Sequence, residues 1–284
     1  MLTDGVTTGR MQAGVWLLAE NRDTPYDGST ETSNPLRERT TIRVLLITGD
    51  VRLTKNLGLQ LAATIPDVTR STVIDRPTGE VHFIETFRGL GDTSVIAWYR
   101  VPNSIGWSVT LNGGVSLPTG RTEPPRFHTA LEDDSLVPIS RLQRGTGTVD
   151  PMFGVSANRV FSGIFPPGTR LFLSAAARVP VQENGFGLRT GASWEASGGA
   201  SREIRWHSLV AIGRLSWLHR EQDVFEGVPV LVGGGDWLAL APGIAIALGK
   251  STIQTEIKLP LYRSLANRQL DSSWLLQLGF VRSF

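Results

Sequence analysis

The amino-acid sequence predicts an all-β protein, an antiparallel, up-and-down transmembrane β-barrel of about twelve strands. In the C-terminal segment Trp274–Phe284, every second residue counted back from the end is large, and the residues between are mostly small or polar. Side chains on a strand alternate between two faces, so this strand has one apolar face, as a wall strand of a membrane barrel does. The same alternation recurs along the chain, and the connections alternate between long and short.

The first five predicted strands are Arg10–Glu20, Thr41–Thr54, Leu57–Ile65, Asp92–Val101 and Trp107–Leu117. The first, third and fifth alternate between an apolar face and a face of small or polar residues, the pattern of a half-buried strand. A polar loop separates the first two strands. The second turns tightly into the third at Lys55–Asn56, and a long segment, Pro66–Leu90, precedes the fourth.

The next four predicted strands are Asp150–Val160, Leu171–Val179, Gly187–Ala196 and Ile204–His219. The sixth and seventh alternate apolar residues with small or polar ones. The eighth places Arg189, Ser193 and Glu195 on one face. The ninth changes phase near Ala211, which predicts a β-bulge.

The last three predicted strands are Trp237–Leu248, Thr252–Tyr262 and Trp274–Phe284. The odd-numbered connections are mostly long and polar. The even-numbered connections are mostly short and fall at Lys55, Asn103, Gly163, Gly198 and Gly249. Outer-membrane barrels have long external loops and short periplasmic turns, so an even strand number predicts that both termini are periplasmic.

Composition excludes several classes of protein. The mean hydropathy is −0.03 and the most apolar stretch, Trp237–Leu248, is shorter than the ~20 residues of a membrane-spanning helix. Cysteine is absent, which excludes disulfides and thiolate metal sites. The net charge of +2 is scattered without a basic run, so no nucleic-acid partner is expected. We predict one barrel domain over residues 1–284.

The two ends of the chain bear on its location. The segment Met1–Arg10 lacks the charged and apolar regions of a signal peptide. We therefore expect the chain to be a mature, trimmed or truncated form of a protein of the bacterial outer membrane. Its expected partners are outer-membrane lipid, a small-molecule solute, and the barrel-assembly machinery, which would bind the C-terminal strand ending at Phe284. Trp107, Trp194, Trp274 and Tyr99 fit an interfacial aromatic belt.

Several short strings resemble a known family in their order and spacing. They are LTKNLGLQLAATIP (Leu53–Pro66), GLGD (Gly89–Asp92), VSLPTG (Val115–Gly120), GTGTVDPMFGVS (Gly145–Ser156), LAPGIAIAL, KLPLYRSLANRQL and LLQLGFVRSF. The set resembles the bacterial outer-membrane barrel family labelled "MetA-pathway of phenol degradation". Asn267 and Arg282 depart from that family, which usually has glycine and an aromatic residue there. The resemblance implies a putative transporter that passes small, often aromatic, molecules.

The polar residues that the alternation places inside the barrel are the candidate solute-binding residues. They are Arg10, Gln12, Glu20, Gln60, Asp92, Arg100, Asn112, Asp150, Asn158, Arg178, Arg189, Glu195, Gln254, Glu256 and Lys258. Opposed charges in a lumen select solutes. The alternative is that these residues pair with one another and rigidify a filled barrel.

Asp92 and Asp150 begin strands within the family-like strings. Either they bind a solute or cation near the mouth, or they accept backbone N–H groups and hold loops. The glycines of GLGD and LPTG indicate turns rather than a phosphate site, because no helix follows them.

The sequence predicts no catalytic residue, metal site or cofactor. The four histidines, at 82, 128, 207 and 219, lack metal-ligand spacing. His207 adjoins Ser208, as in a phospholipase dyad, but neighbouring residues on a strand point to opposite faces. The acidic residues Glu132, Asp133 and Asp134 are interpreted as a solvated loop, with a surface calcium site as the alternative.

The predicted function is passive, channel-like passage of small molecules, including hydrophobic or aromatic ones. The alternative is a non-conducting structural barrel whose external loops bind a partner. A soluble β-sandwich is a third interpretation, and it predicts folding without detergent.

Overall fold

The computed structural model describes residues 10–76, 79–102, 106–122, 144–161, 166, 168–204, 208–230 and 233–284. All regular elements in these ranges are β-strands. They are β1 (Met11–Gly28), β2 (Thr30–Glu31), β3 (Arg39–Arg52), β4 (Leu57–Arg76), β5 (Gly79–Arg88), β6 (Thr93–Val101), β7 (Ser108–Leu117), β8 (Asp150–Phe161), β9 (Thr169–Arg178), β10 (Leu188–Arg189), β11 (Ser193–Ile204), β12 (Leu209–Arg220), β13 (Val224–Phe225), β14 (Val228–Pro229), β15 (Gly235–Leu248) and β16 (Ser251–Ser283). Across these ranges, no helix is long and apolar enough to cross a membrane.

The main sheet closes on itself. Hydrogen-bonded neighbours follow the order β1, β3, β4, β6, β7, β8, β9, β11, β12, β15 and β16, and β16 pairs back with β1. Each neighbouring pair is antiparallel. These are eleven elements, and an odd number of strands cannot alternate in direction around a closed ring. The ring closes because β16 reverses direction and supplies two wall strands, which makes twelve.

The reversal in β16 lies near Leu265. This residue pairs with Gly235 of β15 and also with Gly28 of β1. The residues before it run along β15, and those after it run along β1. At the far end of this hairpin, the Ser283 N–H donates to the Lys250 carbonyl at 2.9 Å. The predicted fold class, an up-and-down transmembrane barrel of about twelve strands, is confirmed.

The apolar residues of the wall lie outside the barrel and the polar residues inside. Outward-facing Leu61 and Leu173 are 55% and 53% exposed, whereas inward-facing Glu256 and Gln277 are 2% exposed. A soluble sandwich has the reverse arrangement, because its apolar faces are buried against each other. In this barrel the outward Leu61 and Leu173 are more than half exposed, as expected of a wall that faces lipid.

Three large aromatic side chains lie flat against the inner wall over glycines of the neighbouring strand. Trp16 pairs with Gly279, and an added Cβ at Gly279 would come within 2.1 Å of its ring. Trp98 lies over its partner Gly58 in the same way. Phe172 lies over Gly199. Aromatic residues stabilise strand glycines by covering them, and only glycine leaves room for the ring here.

The two ends of the barrel differ. One end, the turn end, holds the short connections and the first and last wall residues. The opposite end, the loop end, holds the long connections. There, β4 and β5 extend as a hairpin beyond the wall, from the Asp67–Arg88 pair upward. Strands β10, β13 and β14 form a separate three-stranded sheet from two of the loops. This alternation of long and short connections was predicted.

Several predicted bounds are wrong. The eighth wall strand is Ser193–Ile204 rather than Gly187–Ala196, so the turn predicted at Gly198 lies in mid-strand. The small residues there resemble a turn in sequence, but the Phe172 ring occupies the space above Gly199.

The predicted ninth strand, Ile204–His219, includes the end of β11, the turn residue Ser208 and β12, and residues 205–207 lie outside the described ranges. Its change of phase reflects that turn, where Ser208 has a φ of 57°. The bulge predicted near Ala211 is wrong, because β12 pairs in regular register with both neighbours.

The first and last wall strands are longer than predicted. β1 runs on to Gly28, inside the segment interpreted as a loop. The polar segment between the last two predicted strands, residues 263–273, is part of the β16 hairpin rather than a loop.

Candidate functional site

Polar side chains meet inside the rim at the loop end, and we call Asp92, Asp150, Arg178, Thr146 and Thr148 the rim cluster. Asp92 directly precedes β6, Asp150 begins β8 and Arg178 ends β9. Each shares the inward face of its strand, because it lies an even number of residues from inward Trp98, Ser156 and Phe172. The rim cluster therefore lies on the lumen side of the wall.

Asp92 holds two loop segments by their backbone. Its Oδ1 accepts the Gly120 N–H at 3.2 Å, and its Oδ2 accepts both the N–H and the hydroxyl of Thr146 at 2.9 Å. The side chain is 9% exposed. Asp92 thus accepts backbone N–H groups and holds loops, the second of the two roles considered for it.

Asp150 is fully buried and paired with Arg178. Its Oδ2 accepts from Nε of Arg178 at 2.9 Å and also from Nη2. Its Oδ1 accepts the Thr148 hydroxyl at 2.6 Å. Arg178 also reaches Asp92 at 3.4 Å. One guanidinium therefore bridges two carboxylates, which compensates part of their charge in a region of low water access.

Glycines permit the close approach of the segments that Asp92 joins. A Cβ at Gly120 would lie 2.7 Å from the Gly145 Cα, and a Cβ at Gly145 would lie 2.4 Å from Asp92 Oδ1. The strings GLGD, VSLPTG and GTGTVDPMFGVS, which are separate in sequence, meet at this point. Their glycines serve backbone packing, in agreement with the turn interpretation.

A further loop is tied to the same cluster. Asn184 Nδ2 donates to the Thr146 carbonyl at 3.0 Å, while its Oδ1 accepts the N–H groups of Phe186 and Leu188. The rim cluster therefore fixes residues 144–148 against the inner wall and connects them to the loop that precedes β11. The arrangement sets the shape of the mouth at this side of the ring.

A second set of charges, the lumen ladder, lies deeper in the barrel: Arg214, Glu256, Gln254, Lys258 and Glu195. Arg214 approaches Glu256 with Nε at 3.3 Å from Oε2 and Nη2 at 3.3 Å from Oε1. Gln254 donates to the same carboxylate. Lys258 lies 3.4 Å from Glu195. The ladder places alternating charges along β12, β16 and β11 on the lumen side.

Burial makes the pairing within the lumen ladder important. The side chain of Glu256 is 2% exposed and that of Arg214 is 17% exposed. Arg214 also lies 5.1 Å above the centre of the Phe172 ring, which adds a cation–π contact. Both charges are therefore held in fixed positions, as a constriction field in a lumen requires.

The other predicted lumen residues belong to neither the rim cluster nor the lumen ladder. Gln12 donates to Ser283 at 3.1 Å at the turn end, and Glu20 pairs with Arg22 towards the loop end. Gln60, Arg100, Asn112 and Asn158 lie at inward positions of the wall, and Arg10 is exposed at its turn end. Binding of a solute by any of these residues remains a prediction.

Arg189 is a correction. It was predicted to line the lumen as part of a wall strand, but it belongs to β10, which pairs with β13 in the small sheet at the loop end. The error follows from starting the eighth strand at Gly187.

Sequence reasoning missed two groups of residues. Arg214 was hidden by the misplaced turn: counted from a strand that begins at Leu209, it falls on the inward face. On the outer wall, His219 Nδ1 lies 2.9 Å from Asp236 Oδ1, and its ring contacts Trp194 and Trp217 at centroid distances of 5.5 and 6.0 Å. No sequence motif indicates this cluster, since its members come from three strands.

The catalytic and metal alternatives gain no support from the residues described. His128, His207 and the acidic residues 132–134 lie outside them. Ser208 is in a turn rather than on a strand face. Within the described part of the chain, no group of three histidine, aspartate or glutamate side chains is placed to hold a metal ion.

Comparison with known proteins identifies the fold. No family model matches the sequence, and no curated protein matches it. The structure is similar to an outer membrane channel from Pseudomonas putida F1, with a TM-score of 0.69 and 16% identity over 100% of this chain and 99% of that one. It is also similar to the β domain of the Bordetella autotransporter BrkA, with a TM-score of 0.50 and 14% identity over 97% and 100% of the two chains. The chain has the fold of outer-membrane β-barrels.

Proposed function

We propose that the chain is a bacterial outer-membrane channel for passive passage of small molecules, of the type labelled "MetA-pathway of phenol degradation". The observation that carries this proposal is the lumen ladder, in which Arg214, Glu256, Lys258 and Glu195 present opposed charges inside a closed ring. A charged interior contributes nothing to membrane insertion, and opposed charges at fixed positions are what channels use to select solutes. The protein of similar fold from P. putida is an outer membrane channel, which supports the proposal.

The inner aromatic residues keep the lumen wall flat rather than offering a binding face. Trp16, Trp98 and Phe172 lie against the inner wall at three positions around the ring and are 4%, 8% and 4% exposed. Flat rings leave more open lumen than rings that project inward. We propose that small solutes, hydrophobic or aromatic ones included, pass over this wall and beside the lumen ladder.

The proposed orientation follows from the connections. Long connections of outer-membrane barrels face outward and short turns face the periplasm, so the rim cluster lies at the external mouth. The C-terminal residue Phe284 is 58% exposed at the turn end, and its N–H donates to the Met11 carbonyl. We propose that the barrel-assembly machinery recognises this strand during insertion.

A non-conducting barrel is the second candidate, and a specific observation favours it. Trp16, Gln277 and Glu256 are each less than 5% exposed, so side chains occupy much of the interior at their level. Loop segments also lie inside the rim. In this alternative the ladder and rim cluster rigidify the barrel, and the loops bind a partner.

Ion selectivity in planar bilayers tests the proposal. We expect Glu256→Gln to shift selectivity towards anions, because it leaves Arg214 uncompensated, and Arg214→Gln to shift it towards cations. Leu240→Ala, an outward change on the neighbouring strand β15, is the matched control and should leave selectivity unchanged. Folded protein that inserts but never conducts would establish the second candidate. A conducting protein whose ion selectivity is unchanged by both Glu256→Gln and Arg214→Gln would show that the lumen ladder is not part of the permeation path.

A further inference from the structure

The outer face of β1, β3, β4 and β5 changes its chemistry in three successive rows towards the loop end. Each row is a set of cross-strand partners on the outward face, which is the face of exposed Leu61. The apolar row is Leu17, Leu45 and Ile65, the charged row is Ala19, Arg43, Asp67 and Arg88, and the polar row is Asn21, Thr41, Thr69 and Thr86. Rows on one face are about 7 Å apart, so the change from apolar to charged to polar is abrupt.

The charged row lies where the apolar part of the wall ends. Arg43 on β3 and Arg88 on β5 flank Asp67 on β4, so their Cα atoms are about 10 Å apart, or two strand spacings. Arg43 is exposed, and Arg88 is 76% exposed with its Nε 3.9 Å from Asp67 Oδ2. An ion pair this long and exposed contributes little. Both guanidinium groups are therefore accessible to an external anion, and the fork of their N–H donors matches a phosphate group.

The polar row continues the same face beyond the arginines. The Thr41 hydroxyl donates to Asn21 Oδ1 at 3.2 Å, and the Thr69 and Thr86 hydroxyl oxygens lie 3.3 Å apart. A hydroxyl group has one donor and two acceptor positions, so these side chains retain hydrogen-bonding capacity. Such a row is suited to the hydroxyl groups of a sugar.

We propose that this face binds a phosphorylated glycolipid of the external leaflet. Its acyl chains lie on the apolar row, its phosphate accepts charge-assisted hydrogen bonds from Arg43 and Arg88, and its sugar contacts the polar row. The three rows repeat the order of these groups in such a lipid, from the membrane interior outwards. The inference rests on the orientation proposed above, with the loop end outside, and does not depend on conduction.

A second copy of the chain fits this face poorly. Two barrels inserted in the same orientation are related by a two-fold axis along the membrane normal, so each row meets its own copy at the same height. Arginine would then approach arginine. A free phosphate ion would use the charged row alone and leave the rows on either side without a partner.

Native mass spectrometry of the folded barrel in detergent tests the assignment, with a chelator present so that no divalent cation bridges acidic groups. The probes are bisphosphorylated lipid A and the same lipid A after removal of its phosphates, and retained lipid is counted. We expect about tenfold tighter retention of the phosphorylated form, because it accepts hydrogen bonds from charged groups. Arg43→Gln and Arg88→Gln should each remove most of this preference. Asp67→Asn should strengthen it, because it removes the carboxylate between the two arginines.

Arg202→Gln is the matched control, because Arg202 is an exposed residue near the turn end of β11, on the same outward face as Gly198 and Ala200. Heat-modifiable mobility in gels verifies that each variant is folded. Equal retention of the two forms of lipid A by the unchanged protein would overturn the phosphate contact, as would weaker retention in Asp67→Asn. Equal effects of Arg43→Gln and Arg202→Gln would overturn the location of the site.

Phosphatidylglycerol is the third probe, because it carries a phosphate but no sugar ring. We expect the unchanged protein to retain it less tightly than bisphosphorylated lipid A, and Thr69→Val to reduce that difference. Equal retention of the two lipids would overturn the glycolipid assignment. A barrel that binds lipid A but never conducts would contradict the channel proposal and leave this site intact.

Discussion

Replacing Asp150 with asparagine should release the loop segment that the rim cluster holds. Asp150 is fully buried and accepts two bonds from Arg178 and one from Thr148, and the Thr146 hydroxyl lies 3.3 Å from its Oδ2. Asparagine keeps the shape and one acceptor oxygen but removes the negative charge. Arg178 is then left with Asp92, at 3.4 Å, as its remaining carboxylate partner in the cluster.

The size of the effect follows from burial. Breaking a buried ion pair costs about 3–5 kcal/mol. Arg178 retains 32% exposure, so water recovers part of this loss. We therefore expect about 2 kcal/mol of weaker attachment, since a hydrogen bond to a charged group contributes about 1.5–3 kcal/mol. At 1.4 kcal/mol per factor of ten, the released state becomes about thirtyfold more populated.

Amide hydrogen exchange measures this release directly. The N–H groups of Gly120 and Thr146 both donate to Asp92 and are protected only while the segment is attached. We expect exchange in peptides covering residues 144–149 to accelerate about thirtyfold in Asp150→Asn. Asp223→Asn is the control, because that buried carboxylate binds Gly191 and Arg220 in a different loop. Unchanged exchange at 144–149, or equal acceleration in the control, would refute the reasoning.

Two further predictions concern the wall and the external hairpin. Gly279→Ala should lower the free energy of unfolding by about 1–3 kcal/mol, because the added Cβ would meet the Trp16 ring. Gly113→Ala should not destabilise the barrel, because an added Cβ there has no atom within 4 Å. Urea unfolding in lipid vesicles compares the two variants, and equal unfolding midpoints would contradict the clash. A hydrogen bond from Arg37 lowers the pKa of Glu80, so Arg37→Gln should raise that pKa towards its ordinary value. The Arg37–Glu80 contact stabilises the hairpin at pH values above the ordinary pKa of glutamate, and this stabilisation is lost as the pH falls through the lowered pKa of Glu80. NMR titration of the Glu80 carboxyl group measures its pKa in both proteins. A pKa that Arg37→Gln leaves unaltered would exclude the contact.

The wall was predictable because its physics is local. Alternation with a period of two sets which face each residue occupies, and the solvent on each side decides which face is apolar. Strands such as Ser108–Leu117 and Asp150–Phe161 therefore lie within two residues of their predicted bounds. The wrong strand bounds lie where the sequence shows no clear alternation of apolar and polar residues. Residues 198–200 are too small to show a face, and β11 ends at Ile204 before β12 begins at Leu209, with Ser208 in a turn.

The candidate site was predictable only in part, because facing inward does not decide which residues meet. Asp92, Asp150 and Arg178 were each expected inside, yet nothing local indicates that one guanidinium joins two carboxylates 58 residues apart in the chain. Their meeting depends on the order of strands around the ring and on loop segments folding inward. The same holds for Arg214 and Glu256, which are brought together across β15 by strand order.

The glycines of the wall link the local strand pattern to the shape of the lumen. Gly58, Gly199 and Gly279 each lie inside a strand, where glycine is intrinsically unfavourable by about 0.5–1 kcal/mol relative to alanine. Each is the register partner of a large inward aromatic residue. A side chain at the glycine would drive the ring off the wall and into the lumen. These glycines therefore keep the rings flat at a cost in strand propensity. The width of the proposed path depends on residues that have no side chain of their own.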